Sequence, residues 1–215
     1  MKAFVIAMDC EAECVTSHFA DAVSEERLYG RRVVRGKLGG DDALVVVSGV
    51  GKSNAAAATQ LAILLSGADV LLNVGVAGGL DPAMNVGDLY EVRDAVQYDF
   101  DLAQVNGTEK GVLNERKTPY IPCAPLGRFP SKTLATGDRF TDDDPDLPLL
   151  SRLGAGLRDM EGAAMADVCE TAGVGFASLK CVSDVYGAGS MPSQYAENLK
   201  ICLAKLSEAV AQVWR

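Results

Sequence analysis

The chain has 215 residues, enough for a single domain (1–215) that buries roughly 70% of the surface its unfolded form would expose. Its formal net charge of −9 argues against a nucleic-acid or anionic-membrane surface, because binding phosphate by charge needs a concentrated basic face. The six cysteines, at 10, 14, 123, 169, 181 and 202, lack zinc-like spacing and read as reduced packing residues, so neither metal nor cofactor is expected; the single histidine, His18, leaves no room for a histidine-based triad.

Residues 2–8 read as a buried strand, and 11–22 as a helix with Cys14, His18 and Ala22 along one face. Residues 32–38 and 42–47 give two further strands, with Arg31, Arg32 and Arg35 marking a solvated edge. An alanine- and leucine-rich helix follows over 53–65, then a buried strand over 69–74 and a glycine loop over 75–79. A strand over 88–95 leads into a polar, Gly- and Pro-rich excursion over 97–130, a length that usually signals function or an interface. A strand over 132–136, a short helix over 145–153, a strand running into the Arg158–Met160 region, a helix over 162–171, an apolar strand over 174–182 and a helix over 193–214 capped by Ser193 complete the pass. The pattern predicts a three-layer α/β domain with a mixed central sheet. The N-terminus carries no signal-peptide pattern and no apolar run reaches the roughly 18 residues of a membrane span, so a cytoplasmic address is expected.

Acids recur at strand exits: Glu11 after the first strand, Glu161 before an alanine-rich helix, and Asp184 after the apolar strand. In an open α/β sheet, ligands sit beyond the carboxyl ends of the strands, so these three are expected to share one cleft. Two of them also have a bland explanation, Glu161 as a helix cap and Asp184 as a turn former. Gly49-Val50-Gly51-Lys52-Ser53 fails as a phosphate loop because Val46 stands where its first glycine belongs, and fails as a dinucleotide fingerprint because of Asn54. It remains either a tight turn or a turn lining a ligand pocket.

Met8 with Glu11, Ser48-Gly49-Val50-Gly51-Lys52, Asn73 to Leu80, Val86-Gly87-Asp88, Thr136-Gly137-Asp138-Arg139-Phe140, Asp159 to Ala164 and Ser183-Asp184-Val185 occur in the order of motifs in the purine nucleoside phosphorylase and nucleosidase superfamily. The chain resembles that superfamily over nearly its whole length, and within it the 5′-methylthioadenosine/S-adenosylhomocysteine nucleosidases. The resemblance implies a partly barrel-like central sheet and hydrolysis of the bond between a purine and its ribose.

By the same resemblance Asp184 is the general acid at purine N7 with Ser183 as its partner, Glu161 accepts from the ribose hydroxyls, and Glu11 activates water. Met160 packs on the sugar, Phe140 stacks on the purine, and the backbone of Thr141 reads the base edge. Met8, Val50 and Val76 surround the sugar and its 5′ substituent, with Met191 and Tyr195 nearby. The first loop, Asp9 to Glu13, repels a phosphate dianion, and Val76 offers phosphate no hydroxyl, which favours water as nucleophile. Futalosine hydrolase, a purine nucleoside phosphorylase and a nucleoside-binding or storage protein of the same fold are the alternatives. A homodimer is expected, with Phe100, Val105 and Tyr120 of the excursion roofing the partner's pocket.

Overall fold

The computed structural model describes residues 1–113, 116–142 and 145–214, apart from the side chains of residues 21 and 22. The elements are β1 (Lys2–Ile6), α1 (Asp9–Thr16), β2 (Ala20–Leu28), β3 (Arg31–Leu38), β4 (Asp41–Val47), α2 (Lys52–Ser66), β5 (Val70–Gly79), β6 (Leu89–Gln97), α3 (Ala103–Asn106), β7 (Ile121–Pro122), β8 (Ser131–Thr136), α4 (Leu147–Arg152), β9 (Ala155–Asp159), α5 (Gly162–Thr171), β10 (Gly175–Val185) and α6 (Met191–Trp214).

Five strands close on themselves: β5 pairs with β10, β10 with β6, β6 with β8, β8 with β9, and β9 back with β5. Closure removes the edges of this part of the sheet. From β5 the sheet continues through β1, β4, β3 and β2. The strands β1, β4, β5 and β10 run parallel, whereas β9 is antiparallel to β5 and meets it only at Gly78 and Gly79. The mixed, partly barrel-like sheet is therefore as expected.

One apolar core lies between the sheet and the helices α2 and α5, and a second lies under α1 and α6. Ala43 to Val47 are all buried, the continuous apolar run of a strand covered on both faces. In α2, Ala55, Ala58, Thr59 and Ala62 face inward; their small side chains let the helix lie close to the strands while alanine favours the helix itself. Cys202, Leu206, Ala209, Val210 and Trp214 form the buried stripe of α6, and Trp214 packs edge-on against Phe4 with ring centroids 5.4 Å apart.

Several boundaries differ from expectation. The first helix ends at Thr16 instead of continuing through Ala22, because the chain turns at Ser17 and His18 and enters β2; Ala22's side chain lies outside the described residues. His18 instead ties this turn to α6 through Ser207. The arginines of β3 do not mark an edge: β2 covers that strand, and Arg32 and Arg35 pair with Glu25 and Glu26 across it. The 75–79 glycine segment is no loop but the end of β5, hydrogen-bonded to β10 along its length. Ser193 sits inside the first turn of α6, which begins at Met191.

The 97–130 excursion is largely folded onto its own sheet. Its β7 pairs with β6, Ile121 is fully buried, and Glu91 accepts the four successive amides of Leu126, Gly127, Arg128 and Phe129 at 2.5–2.9 Å. Phe100 packs against the core and the hydroxyl of Tyr120 donates to Leu153's carbonyl, so two of the three side chains expected to roof a partner turn inward; Val105 remains exposed.

Candidate active site

One cavity of about 140 Å³ opens at the ends of β1, β5, β9 and β10, lined by Met8, Glu11, Val50, Val76, Phe140, Arg158, Asp159, Met160, Glu161, Ser183, Asp184 and Tyr195 among others. The three acids, remote in sequence, are all buried in its wall. Every residue assigned by resemblance lines it except Met191 and Thr141; the carbonyl oxygen of Thr141 accepts from Arg158 Nη2 at 3.1 Å.

Glu11 arrives on the first turn of α1, so the segment from Asp9 to Glu13 is helix and not the expected loop. As the third helical residue it reaches back to the Met8 amide at 3.1 Å, half of a capping box. Its other oxygen accepts the Val76 amide at 2.8 Å. This approach is possible because β5 carries glycine at 75: a Cβ there would stand 2.7 Å from Glu11 Oε1. Burial raises the Glu11 pKa, while Lys180 and the two amides pull it back.

Glu161 accepts the Gly51 amide at 2.7 Å, which decides the glycine turn after β4 in favour of lining the pocket. Burial, and then the neighbouring Asp159, push its pKa up to about 7. It makes no side-chain bond to the start of α5; Asp159 does that, accepting from Gly162 at 2.9 Å and from the Thr136 hydroxyl at 2.5 Å. Capping therefore explains Asp159 and leaves Glu161 directed to the cavity.

Asp184 lies within β10, just after a register shift between Val182 and Asp184, and not in a turn. Such irregularities re-aim a side chain beside active sites. Ser183 donates to Asp184 Oδ2 at 2.7 Å, while Oδ1 is buried and has no hydrogen-bond partner among the described residues. Gly78 leaves the room for it, since a Cβ there would come within 2.9 Å of Oδ1. Burial raises the Asp184 pKa, offset in part by Ser183 and Arg158.

Sequence reasoning missed three charged residues. Lys180 is 2% exposed and pairs with Asp159 at 2.9 Å beneath the acids. Burial opposes its charge, but Asp159, Glu11 and Glu161 outweigh it and raise its pKa. A lysine within an otherwise apolar strand was the available signal, because buried lysines are paired. Arg158 and Asp159 carried no signal beyond their place beside Met160. Tyr195, anticipated near the 5′ pocket, stands 6.0 Å from Phe140 ring to ring, with its hydroxyl 3.4 Å from Met8 Sδ.

A family model described as the phosphorylase superfamily matches residues 2–215. The chain belongs to that superfamily. A 5′-methylthioadenosine/S-adenosylhomocysteine nucleosidase of Halalkalibacterium halodurans is 32% identical, over 95% of this chain and 94% of its own length. The solved nucleosidase of that name from Colwellia psychrerythraea, in complex with adenine, is 26% identical, covers 100% of this chain and 96% of its own, and superposes with a TM-score of 0.86. The futalosine hydrolase of Helicobacter pylori shares the fold with a TM-score of 0.88 at 24% identity, over 96% and 93% of the two chains. These relatives put the chain in the superfamily's nucleosidase branch, as an enzyme.

Proposed function

We propose that the chain hydrolyses the N-glycosidic bond of a purine nucleoside, with Asp184 protonating the departing base, Glu161 holding the ribose hydroxyls and Glu11 taking the proton of the attacking water. The observation that carries this reading is the buried, unpartnered Oδ1 of Asp184 in the same cavity wall as Glu11 and Glu161. As C1′–N9 breaks, its electron pair goes to the base, which gains a proton at N7. Water adds to C1′ and gives its proton to Glu11, so the products are free base and a ribose hydroxyl.

Burial raises the pKa of both Asp184 and Glu11; Ser183 and Arg158 offset part of the rise at Asp184, and Lys180 with the Val76 and Met8 amides offsets part of it at Glu11. Met160 lies against the sugar, Phe140 stacks on the base, and Met8, Val50, Val76 and Tyr195 make an apolar wall suited to an uncharged 5′ group. Water is favoured over phosphate because Glu11 and its carboxylate neighbours would oppose a dianion at C1′, where Lys180 is already paired with Asp159.

The nucleosides after which the relatives are named, 5′-methylthioadenosine and S-adenosylhomocysteine, are the first substrates to try, with futalosine and inosine beside them. Incubation with each, with and without phosphate, and assay of the free base tests the reading; a strict requirement for phosphate refutes it. The reading includes action in the cytoplasm as a homodimer, with the exposed Val105 of the excursion at the contact. A monomer in sedimentation at micromolar concentration refutes the dimer.

A further inference from the structure

Two segments of the cavity rim are joined by carboxylates that stand outside it. Val50, in the glycine turn before α2, and Phe140, in the segment after β8, line the cavity and are both about half exposed. The turn presents two successive amides to two acids: Gly51 donates to Glu161 Oε1 at 2.7 Å, and Lys52 donates to Asp138 Oδ1 at 2.8 Å. Asp138 is held in turn by Asp99, at the head of the excursion. Asp99 Oδ2 accepts the Asp138 amide at 3.1 Å, and Asp99 Oδ1 pairs with Lys52 Nζ. Gly51 has a φ of +97°, and a Cβ there would stand 3.2 Å from Asp138 Oδ1, so this close approach depends on glycine. Asp99, Lys52 and Asp138 do not line the cavity.

We propose that Asp138 is a positioning residue: it ties the Phe140 segment to the same turn that Glu161 holds, and so sets the base-stacking ring against the ribose-binding acid. This rests on the reading of Phe140 and Glu161 as the base and ribose contacts. β8 ends at Thr136, and Gly137 lies so close to Tyr98 that a Cβ would stand 2.6 Å from its ring. Asp138 is the first residue beyond that contact with a side chain to fasten the segment. Past Phe140, the Thr141 carbonyl accepts from Arg158 and Asp142 Oδ1 accepts the Met191 amide at 2.6 Å, so the ring sits between two anchors. Only the Asp138 anchor reaches the turn bonded to Glu161. Its bonds are exposed, so they add little to stability. Their use is to hold the rim in place before the ligand arrives, which lowers the ordering cost of binding. A base stacks on Phe140 before and during bond cleavage alike, so loss of the anchor weakens binding far more than it slows the chemistry.

The test measures binding of free adenine and hypoxanthine by calorimetry, and kcat and KM for 5′-methylthioadenosine and inosine. It compares the parent chain with Asp138→Ala, Asp138→Asn, Phe140→Ala and the Asp138→Ala/Phe140→Ala double variant. Asp138→Ala is expected to weaken the better-bound base about tenfold and to raise KM by a similar factor, with kcat within about threefold. Asp138→Asn keeps an oxygen for the Lys52 amide and should stay within about threefold of the parent. In the Phe140→Ala background the alanine at 138 should change affinity by less than about twofold, because Asp138 acts through that ring. Losses that multiply in the double variant overturn the proposal, as does unmoved affinity in a folded Asp138→Ala, or an asparagine variant as impaired as the alanine. Should Asp138→Ala fail to fold, Asp99→Ala removes the acceptor of the Asp138 amide and decides instead: a smaller loss of affinity that vanishes in Phe140→Ala supports the proposal, and no loss overturns it. A parent that binds neither base overturns it together with the reading beneath it. Base binding that depends on Asp138, without cleavage of either nucleoside, leaves the positioning role standing and refutes the hydrolytic reading.

Discussion

Glu161→Gln is expected to stabilise the protein at neutral and alkaline pH while abolishing activity. Glu161 is 7% exposed, lies beside Asp159 and Glu11, and has its folded pKa raised to about 7 from an ordinary 4.5. The sign follows from linkage: a carboxyl whose folded pKa exceeds its unfolded value binds its proton more tightly when folded. The contribution is therefore full below pH 4.5 and drains away as pH rises through 7, a loss of about 3 kcal/mol. Glutamine keeps an oxygen for the Gly51 amide, which donates at 2.7 Å, but carries no charge to desolvate. Urea unfolding from pH 4.5 to 8 should show the variant and parent within about 1 kcal/mol at the acid end and the variant ahead by about 2–3 kcal/mol at pH 8. Parallel pH profiles for the two proteins would refute the reasoning. Such a gain would mean that the parent holds an acid in an unfavourable place because the ribose needs it, the usual trade of stability against function.

Asp184→Asn should lower kcat about 10²–10⁴-fold while KM stays within a few-fold, measured as release of free base; a variant retaining a tenth of parental turnover would remove Asp184 from the acid role. Lys180→Met leaves Asp159, Glu11 and Glu161 buried without their cation and should cost about 3–5 kcal/mol in urea unfolding. Because Lys180 offsets part of the rise that burial gives the Glu11 pKa, the acid limb of the pH–rate profile should also move to higher pH in this variant, and an unmoved limb would separate Lys180 from Glu11. Gly75→Ala would place a Cβ 2.7 Å from Glu11 Oε1, so kcat should fall along with a loss of about 1–3 kcal/mol in stability; unchanged turnover would show that Glu11's position is not critical.

Much of the fold was legible because its strands are buried on both faces and therefore read as continuous apolar runs, as at residues 43–47 and 174–182. β2 was not: Ser24, Glu25 and Glu26 face solvent or the arginines of β3, so the segment lacks the apolar alternation that marks a half-buried strand. The end of β5 looked like a loop because glycines usually punctuate, whereas here they clear space for Glu11 and Asp184 to approach the backbone. The three acids were legible as charges at strand exits. Lys180 was hidden inside an apolar run, and Arg158 acquires its place only when β9 runs against β5 and brings it opposite Gly78. That pairing is a long-range contact with no local sequence signature.

The origin of the new oxygen on the sugar tests the central claim most directly. A purine nucleoside that the chain cleaves, incubated in ¹⁸O-labelled water with millimolar phosphate present, should give a ribose product carrying one labelled oxygen at C1′ and no sugar phosphate, as measured by mass spectrometry. Recovery of ribose 1-phosphate without label would contradict the account.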